Sequence, residues 1–330
     1  MTHKLQVACY GTNGHQILRK LRAHPRARLT AVSEIPQANV SDALGQEAAQ
    51  GVSFEPDLET LLGREDVDLV SLCSPRRDRQ CEDAIRCMEA GRHVLAEKPA
   101  ALSVEEISLL QDSARQCGVE FRQMGSCGQE ATLDAIRRQV EEGHLGEVVQ
   151  VFAQKSYPYH DGRPQDRGID GGLIRQAGIH AVRFIQRGAG LRAVRVCATD
   201  TRRGNPEEGN LQMAASVWLE LEGGAVAVLV LNYLNPRGIG YWGNDQFRVH
   251  GTGGMIEAVD GFQRCRMVLG ESEPQEIPGI PTEYPDFFDT YVDYLLDGRE
   301  MPFSSEDDLY ALRTVIRAQE AADTARIVEV

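Results

Sequence analysis

The first third of the chain alternates short apolar segments with amphipathic ones, and this alternation constrains the fold more than any other feature. Strands are predicted at Leu5 to Tyr10, Leu29 to Ser33, Val67 to Cys73, His93 to Ala96 and Val119 to Met124, with helical stretches between them. Strands that alternate with helices are joined by right-handed crossovers, so the strands are parallel and helices cover both faces of the sheet. The pattern predicts an N-terminal α/β domain with a doubly wound parallel sheet.

The remainder of the chain changes to a strand-rich pattern. Apolar residues recur at every second position from Met213 to Leu221, as in a sheet with one buried and one solvated face. Other strands are predicted at Val148 to Ala153, Val194 to Ala198, Ala225 to Leu234, Phe247 to His250 and Met255 to Ala258, and helices at Ala131 to Glu142, Pro285 to Leu296 and Ser304 to Ala325. We therefore expect two domains, 1–123 and 124–330. The second is predicted to be α+β with a large, mostly antiparallel open sheet, and its closing helices are expected to pack back on the first domain.

The charge balance limits the classes of partner. The 330 residues include 49 acidic and 35 basic side chains, a formal net charge of -14. Nucleic acids and anionic membranes attract basic proteins, so neither is an expected partner. The longest apolar run, Ala225 to Leu231, is far shorter than the roughly 20 residues of a membrane helix.

The N-terminus and the cysteines indicate the compartment. The first residues lack the apolar core and cleavage site of a signal peptide. The eight cysteines form neither a C-x-x-C pair nor a Cys/His cluster at zinc-site spacing. We expect free thiols, a cytoplasmic location and no metal site.

The first predicted strand runs into Gly11-Thr-Asn-Gly-His-Gln16, where a dinucleotide-binding domain has its phosphate loop. Read as G-x-G-x-x-G, the segment keeps only the first glycine, because Asn13 and Gln16 occupy the other two positions. Gly14 can take over the turn. Gln16 must either find room between helix and sheet or point at the phosphates, and an ordinary strand-to-helix turn is the alternative.

Two further features surround this loop. Ile17, Leu18 and Leu21 would form one face of a following helix. Glu34 ends the second strand at about the spacing expected of the acidic residue that binds the adenosine ribose. A carboxylate there repels a 2'-phosphate, so NAD is the predicted cofactor and is favoured over NADP. The predicted cofactor-binding residues in this part of the chain are Gly11, Thr12, Asn13, Gly14, Gln16 and Glu34.

A series of motifs follows along the rest of the chain: Ser74-Pro75, Glu89-Ala-Gly-Arg-His-Val-Leu-Ala-Glu-Lys-Pro99, Gly146-Glu-Val, Gly171-Gly172, Gly178-Ile-His180 and Arg248-Val-His-Gly-Thr-Gly-Gly254. From Val67 onward the sequence thereby resembles the Gfo/Idh/MocA oxidoreductases, the relatives of glucose-fructose oxidoreductase and inositol dehydrogenase. The resemblance implies a Rossmann domain, then a domain whose open sheet often mediates homodimers or homotetramers. It adds Ser74, Pro75, Glu97 and Lys98 to the cofactor-binding residues.

The resemblance also implies two catalytic residues. Lys98 occupies the position that lies between nicotinamide and substrate, where it donates a hydrogen bond to the reacting oxygen and helps to transfer its proton. His180 matches the family's catalytic histidine, on the helix after Gly171-Gly172. The family commonly has an aspartate four residues earlier, and here that residue is Gln176, which cannot accept a proton at neutral pH. Any proton relay must then use His180 with Lys98, or borrow a carboxylate such as Asp166 or Asp170 from the preceding loop.

The segment from Tyr157 to Asp170 is rich in aromatic, charged and hydroxyl groups. Its place just before the implied catalytic helix suggests substrate recognition, and a solvated surface loop is the alternative. The predicted substrate-binding residues are Lys98, Tyr157, His160, Gln176 and His180.

Three functions are compatible with these residues. The first is an NAD-dependent dehydrogenase that oxidises a secondary alcohol of a sugar, sugar derivative or inositol to a ketone. The second is oxidation-assisted cleavage of a glycosidic bond, with tightly bound NAD that is recycled. The third is a non-catalytic protein that senses a dinucleotide or a sugar, which the altered glycine loop and Gln176 would suit.

Overall fold

Two sheets organise the chain in the computed structural model, which describes residues 4–125, 130–281 and 286–330. The strands, in chain order, are β1 (Leu5–Tyr10), β2 (Ala27–Ser33), β3 (Ser53–Glu55), β4 (Leu69–Leu72), β5 (His93–Ala96), β6 (Phe121–Gln123), β7 (Val148–Ser156), β8 (Ala193–Thr201), β9 (Ala214–Leu221), β10 (Val226–Asn232), β11 (Gln246–Gly251), β12 (Gly254–Val259), β13 (Arg264–Leu269), β14 (Gln275–Glu276) and β15 (Val328–Glu329). The α-helices are α1 (Gln37–Leu44), α2 (Gln46–Ala49), α3 (Leu58–Leu62), α4 (Gln80–Glu89), α5 (Val104–Cys117), α6 (Glu130–Glu141), α7 (Arg167–Asp170), α8 (Leu173–Phe184), α9 (Phe287–Asp297) and α10 (Ser305–Thr324).

The chain divides into two compact units. The first comprises Met1–Gly125, Gly168–Gly171 and Tyr284–Tyr310, and the second comprises Ser126–Arg167, Gly172–Glu283 and Ala311–Val330. Each unit contains one of the two sheets.

The first unit holds a six-stranded parallel sheet in the order β3-β2-β1-β4-β5-β6. The direction of winding reverses between β1 and β4, and ligands of such sheets bind outside the carboxyl ends of the strands at that point. Helix α9 belongs to this unit and its Tyr291 is fully buried, with the hydroxyl 3.3 Å from the carbonyl oxygen of Val94. The predicted doubly wound parallel fold is confirmed.

The ends of helix α5 follow from its sequence. The Ser103 hydroxyl accepts a hydrogen bond of 3.2 Å from the amide of Glu106, and the Glu106 carboxylate accepts one of 2.6 Å from the amide of Leu102. Gly118 ends the helix in the left-handed conformation with φ +65°. Each end therefore satisfies backbone groups that the helix leaves unpaired.

The prediction of an α-helix directly after the glycine loop is wrong. Only one 3-10 turn, Leu18–Leu21, follows the loop, and the next α-helix is α1, after β2. Ala23 adopts a left-handed φ of 54° two residues before Pro25, so the chain turns back toward β2 where a helix would have continued. The apolar side chains of Leu18 and Leu21 are buried as predicted, but in a turn that is too short to carry a helix dipole.

The second unit holds a nine-stranded sheet in the order β14-β13-β12-β11-β7-β10-β9-β8-β15. Among the described strands of this sheet, only β7 and β10 pair in parallel, so the predicted mostly antiparallel sheet is confirmed. Helix α8 lies against β7 and β10. Gly178 permits this approach, because a Cβ atom there would lie 3.1 Å from Cδ1 of Leu231.

Candidate active site

Two glycines of the loop after β1 are required by their surroundings. Gly11 has φ +71°, and a Cβ atom there would lie 2.1 Å from the carbonyl oxygen of Cys73. Gly14 has φ +128°, and a Cβ atom there would lie 2.5 Å from Cγ of Glu97. A side chain at either position would force the loop away from the ends of β4 and β5.

Gln16 points inward. Its Nε2 atom lies 3.1 to 3.2 Å from the carbonyl oxygens of Tyr10, Gly11 and Ser71. Its Oε1 atom accepts hydrogen bonds from the Ser71 hydroxyl at 2.6 Å and from the amide of Ile17 at 3.0 Å. The amide group therefore ties the loop to the strand ends, where a Rossmann glycine would instead let a helix pack closely. Of the two possibilities predicted for Gln16, this geometry corresponds to the inward one.

Glu97, directly after β5, is 1% exposed and holds the loop from the other side. Its carboxylate accepts the backbone N–H of His15 at 2.9 Å and lies 3.1 Å from Nδ1 of the same residue. Burial alone would raise the pKa of Glu97, but the hydrogen bond from His15 and the positive charges of Lys98 and Arg77 lower it to about 2. Glu97 is therefore a carboxylate at neutral pH, although it is buried.

Lys98 follows Glu97 at the carboxyl end of the sheet. It is 6% exposed, and its Nζ atom lies 4.0 Å from Oε1 of Glu97. The buried ammonium and the buried carboxylate compensate each other's charge, which is the usual condition for ions inside a protein. Sequence reasoning identified Lys98, but the compensating role of Glu97 depends on a spatial contact.

The segments that follow β1 and β4 contact each other through Asn13 and Pro75, and Ser74 lies just after the end of β4. Asn13 Nδ2 lies 3.3 Å from the carbonyl oxygen of Pro75, and its own carbonyl oxygen accepts a hydrogen bond of 2.6 Å from Arg77. The Ser74 hydroxyl donates to Asp83 at 2.7 Å. Arg77 is 1% exposed, and sequence reasoning did not single it out.

Glu34 and Thr12 present exposed side chains at the same edge of the sheet. Glu34 comes directly after β2 and has a left-handed φ of 55°, which is uncommon for a residue with a side chain. The residues predicted to bind the cofactor thus all lie at the carboxyl ends of β1, β2, β4 and β5. This edge includes the point where the winding reverses, the usual dinucleotide site of such sheets.

His180 belongs to the second unit, on α8, which begins directly after Gly172 as predicted. The histidine is 9% exposed, whereas Gln176, one helical turn earlier on the same face, is half-buried. The helix therefore presents an imidazole and a carboxamide side by side, where the resemblance implied an imidazole and a carboxylate.

A buried ion pair between β7 and the residue that precedes β11 was missed by sequence reasoning. Lys155 of β7 is 6% exposed and lies 2.5 Å from Asp245, which is 2% exposed. The Lys155 ammonium also lies over the rings of Tyr157, at 5.2 Å, and of Phe184, at 5.7 Å. The sequence signal was available, because Lys155 continues the inward-facing alternation of Val151 and Ala153.

Tyr157 and His160, two of the predicted substrate-binding residues, follow β7 and are half-buried. The Tyr157 ring packs against that of Trp242, with centroids 6.3 Å apart. Burial, together with the positive charges of Arg163 and Arg237, lowers the pKa of His160. His160 is therefore mainly a neutral imidazole at pH 7, able to donate one hydrogen bond and accept another.

No helix in the described ranges is long and apolar enough to cross a membrane. The seven cysteines within those ranges are free, and Cys127 lies outside them.

Comparison with known proteins identifies the family. Residues 5–123 match the oxidoreductase family with an NAD-binding Rossmann fold, and residues 133–257 match the GFO/IDH/MocA C-terminal domain. The chain is 25% identical over 291 residues to the 1,5-anhydro-D-fructose reductase of Ensifer adhaerens, with 83% of each protein covered. It is also 25% identical over 318 residues to D-xylose 1-dehydrogenase (NADP(+)) 2 of Haloferax volcanii, with 93% of this chain and 92% of that protein covered.

A solved structure has the same architecture. The aldose-aldose oxidoreductase of Caulobacter crescentus, complexed with glycerol, matches with a TM-score of 0.80 at 24% identity, over 99% of this chain and 100% of that chain. The two family matches together span most of the sequence. The chain therefore belongs to the Gfo/Idh/MocA family of NAD-binding oxidoreductases.

Proposed function

We propose that this protein is an NAD-dependent dehydrogenase that oxidises a secondary alcohol of a sugar, sugar derivative or inositol to a ketone. The observation that carries the proposal is the buried Lys98 beside the charged Glu97 at the carboxyl edge of the parallel sheet. A lysine of this kind is a poor structural element, because burying an ammonium costs free energy even when it is paired. A role in chemistry explains why the chain keeps it.

The loop residues fit a dinucleotide. Gly11 and Gly14 bring bare backbone to the edge of the sheet, and Thr12 and Glu34 present exposed polar side chains there. We propose that Gly14 and Thr12 contact the pyrophosphate and that Glu34 accepts hydrogen bonds from the adenosine ribose. When bound, NAD⁺ supplies the carbon that accepts a hydride from the substrate.

Glu34 supports the preference for NAD. Its carboxylate would lie against the 2'-phosphate of NADP, and like charges at this distance repel. The nearest residues in sequence, Ser33 and Ile35, offer no positive charge to offset the repulsion.

Two side chains of this protein, Lys98 and His180, are proposed to act on the hydroxyl group that is oxidised. We propose that Lys98 donates a hydrogen bond to the reacting oxygen and stabilises the negative charge that develops there as the C–H bond breaks. His180 accepts the hydroxyl proton, because Gln176 has no basic group. Tyr157 and His160 are proposed to contact the sugar hydroxyls.

The test measures the turnover of Lys98→Met with a panel of polyols, with the absorbance of NADH as the readout. General acid–base groups contribute on the order of 10²- to 10⁴-fold, so kcat is expected to fall by at least that lower limit. Calorimetric titration with NAD⁺ should show binding largely retained. Lys4→Met, which removes an exposed lysine of the same unit, is the control. Undiminished turnover by Lys98→Met would refute the assignment.

A sensor without turnover is the second candidate, favoured by the inward-bound Gln16 and by Gln176. It predicts calorimetric binding of NAD⁺ with no NADH from any polyol in the panel. Recycling of a bound cofactor predicts instead that the purified protein carries stoichiometric NAD and that product forms without net NADH.

We also propose a cytoplasmic homodimer or homotetramer. The free cysteines within the described ranges suit a reducing compartment, and size-exclusion chromatography with light scattering measures the number of subunits.

A further inference from the structure

Arg163 lacks a hydrogen-bonding or ionic partner for its side chain within the described residues. Its guanidinium carbon lies 3.5 Å from the centroid of the Tyr233 ring and 6.0 Å from that of Tyr157. The Nε atom is buried, and no acceptor in the part of the chain that the structure describes reaches it. The side chain as a whole is half-buried, so water replaces these missing partners only in part.

Three other half-buried arginines of the second unit are paired with carboxylates. Arg187 forms two hydrogen bonds with Asp134, at 2.6 and 2.8 Å. Arg248 and Arg266 flank the buried Glu257, with Nε atoms 2.7 and 2.8 Å from its carboxylate oxygens. Arg163 therefore differs from these three arginines, as does Arg313, whose buried Nε atom also reaches no acceptor among the described residues.

The surroundings of Arg163 add positive charge. Its backbone N–H donates to the carbonyl oxygen of His160 at 3.1 Å, and Arg237 donates to the carbonyl oxygen of Tyr159 at 3.3 Å. Both arginines act on His160 as positive neighbours. No carboxylate among the described residues pairs with Arg163. Asp161 is exposed, and Glu207 instead accepts a hydrogen bond of 2.5 Å from the Tyr159 hydroxyl.

A chain of contacts within the second unit connects Arg163 to the helix of His180. Tyr157 packs between Arg163 and Lys155, and Lys155 lies over the ring of Phe184. Phe184 follows His180 by one helical turn on α8.

We infer that Arg163 binds an oxyanion group, a carboxylate or a phosphate, of the polyol on which this protein acts. The inference rests on the proposed function and narrows the substrate class from neutral sugars to sugar acids or sugar phosphates. With one face of the guanidinium on Tyr233, the N–H groups along its edge are those that can bind an oxyanion in the same plane. Bidentate binding of this kind is specific to arginine and is not reproduced by lysine.

The first experiment compares matched substrates by NADH absorbance: D-glucose, D-glucuronate and D-glucose 6-phosphate, with D-galactose and D-galacturonate as a second pair. We expect kcat/KM to be higher for one acidic member than for its neutral counterpart. In Arg163→Gln the ratio of kcat/KM for the acidic substrate to kcat/KM for its neutral counterpart should fall on the order of 10- to 100-fold, because a hydrogen-bonded charge pair is lost. Arg163→Lys should recover only part of the ratio. Arg138→Gln, which removes an exposed arginine on α6, is the matched control.

The second experiment measures binding without turnover. D-glucuronate and D-glucose 6-phosphate are titrated calorimetrically into protein saturated with NADH, and the variants are compared with the wild type. If only the binding of D-glucuronate depends on Arg163, the bound group is a carboxylate. If only the binding of D-glucose 6-phosphate depends on Arg163, the bound group is a phosphate. Either result supports the inference. Equal affinity of wild type and Arg163→Gln for both anions overturns it.

The two proposals fail differently. If neutral sugars are oxidised as well as every acidic analogue and Arg163→Gln leaves the ratio unchanged, the inference is wrong while the dehydrogenase assignment stands. If no compound yields NADH but the anion titration depends on Arg163, the anion site is supported and the dehydrogenase assignment fails.

Discussion

Gln16 is expected to stabilise the fold at the position where the G-x-G-x-x-G fingerprint has its third glycine, and replacing it tests that reasoning. Its side chain offers two N–H groups and one oxygen with two lone pairs, so at most four of its five contacts are full hydrogen bonds. At a net 0.5 to 1.5 kcal/mol each, four bonds contribute roughly 2 to 6 kcal/mol. The side chain is half-buried, so water offsets part of the loss, and we expect Gln16→Ala to cost about 2 to 3 kcal/mol.

The assay is urea unfolding followed by circular dichroism, with the cofactor dissociation constant measured in parallel. Gln116→Ala, an exposed glutamine on α5, should change stability by less than about 0.5 kcal/mol. Gln16→Glu should cost at least as much as Gln16→Ala at neutral pH, because a carboxylate oxygen would face three carbonyl oxygens. Suppose instead that Gln16→Ala unfolds like wild type while its dissociation constant for NAD⁺ rises tenfold. Gln16 would then serve the phosphates, and the structural reasoning would be refuted.

Three other outcomes are expected. The lowered pKa of Glu97 contributes stability that is fully present above pH 4.5 and is lost as the pH falls toward about 2. The urea midpoint of unfolding should therefore drop across this pH range more in the wild type than in Glu97→Gln. An equal drop in both proteins would contradict the lowered pKa of Glu97. Glu34→Ser should improve kcat/KM for NADP⁺ relative to NAD⁺ on the order of tenfold or more, measured with one sugar and both cofactors; an unchanged ratio would place the ribose elsewhere. Lys155→Met should lower the free energy of unfolding by about 3 to 5 kcal/mol, because Asp245 stays buried without the Lys155 ammonium. The double variant with Asp245→Leu should regain much of this free energy. No regain would count against the explanation by paired charges.

Hydrophobic spacing and chain order predicted the framework of the site. The bounds of β1 and β5 agree with the predicted strands, and these two strands deliver the glycine loop and Lys98 to the same edge. The helix of His180 begins where the paired glycines indicated. Such features depend on local pattern and on the rule that parallel strands end at a common edge, so one sequence suffices for them.

The contacts that hold the loop could not be read from spacing. His15 and Glu97 are far apart in sequence, and nothing in either segment says that the carboxylate meets the loop amide. The missing helix had a signal in His24-Pro25, which ends any helix early, but the apolar positions before it outweighed that signal. The short edge strands β14 and β15 contain two residues each, too few for an alternation to register.

The nine-stranded sheet has a consequence for the order in which the chain folds. Strands β8, β9 and β10 form one run of antiparallel neighbours that follow one another along the chain, and β11 to β14 form another. Strand β7 is synthesised before all of them, yet it lies between β10 and β11 and joins the two runs. Local hairpins close within microseconds, whereas pairing across long separations must first overcome a larger loss of chain entropy. Strand β7, the first strand of this sheet to leave the ribosome, is therefore expected to be among the last to find its place. A circular permutant that begins at β8 separates β7 from β10 and β11 by more of the chain, so it should assemble this sheet more slowly than the natural order.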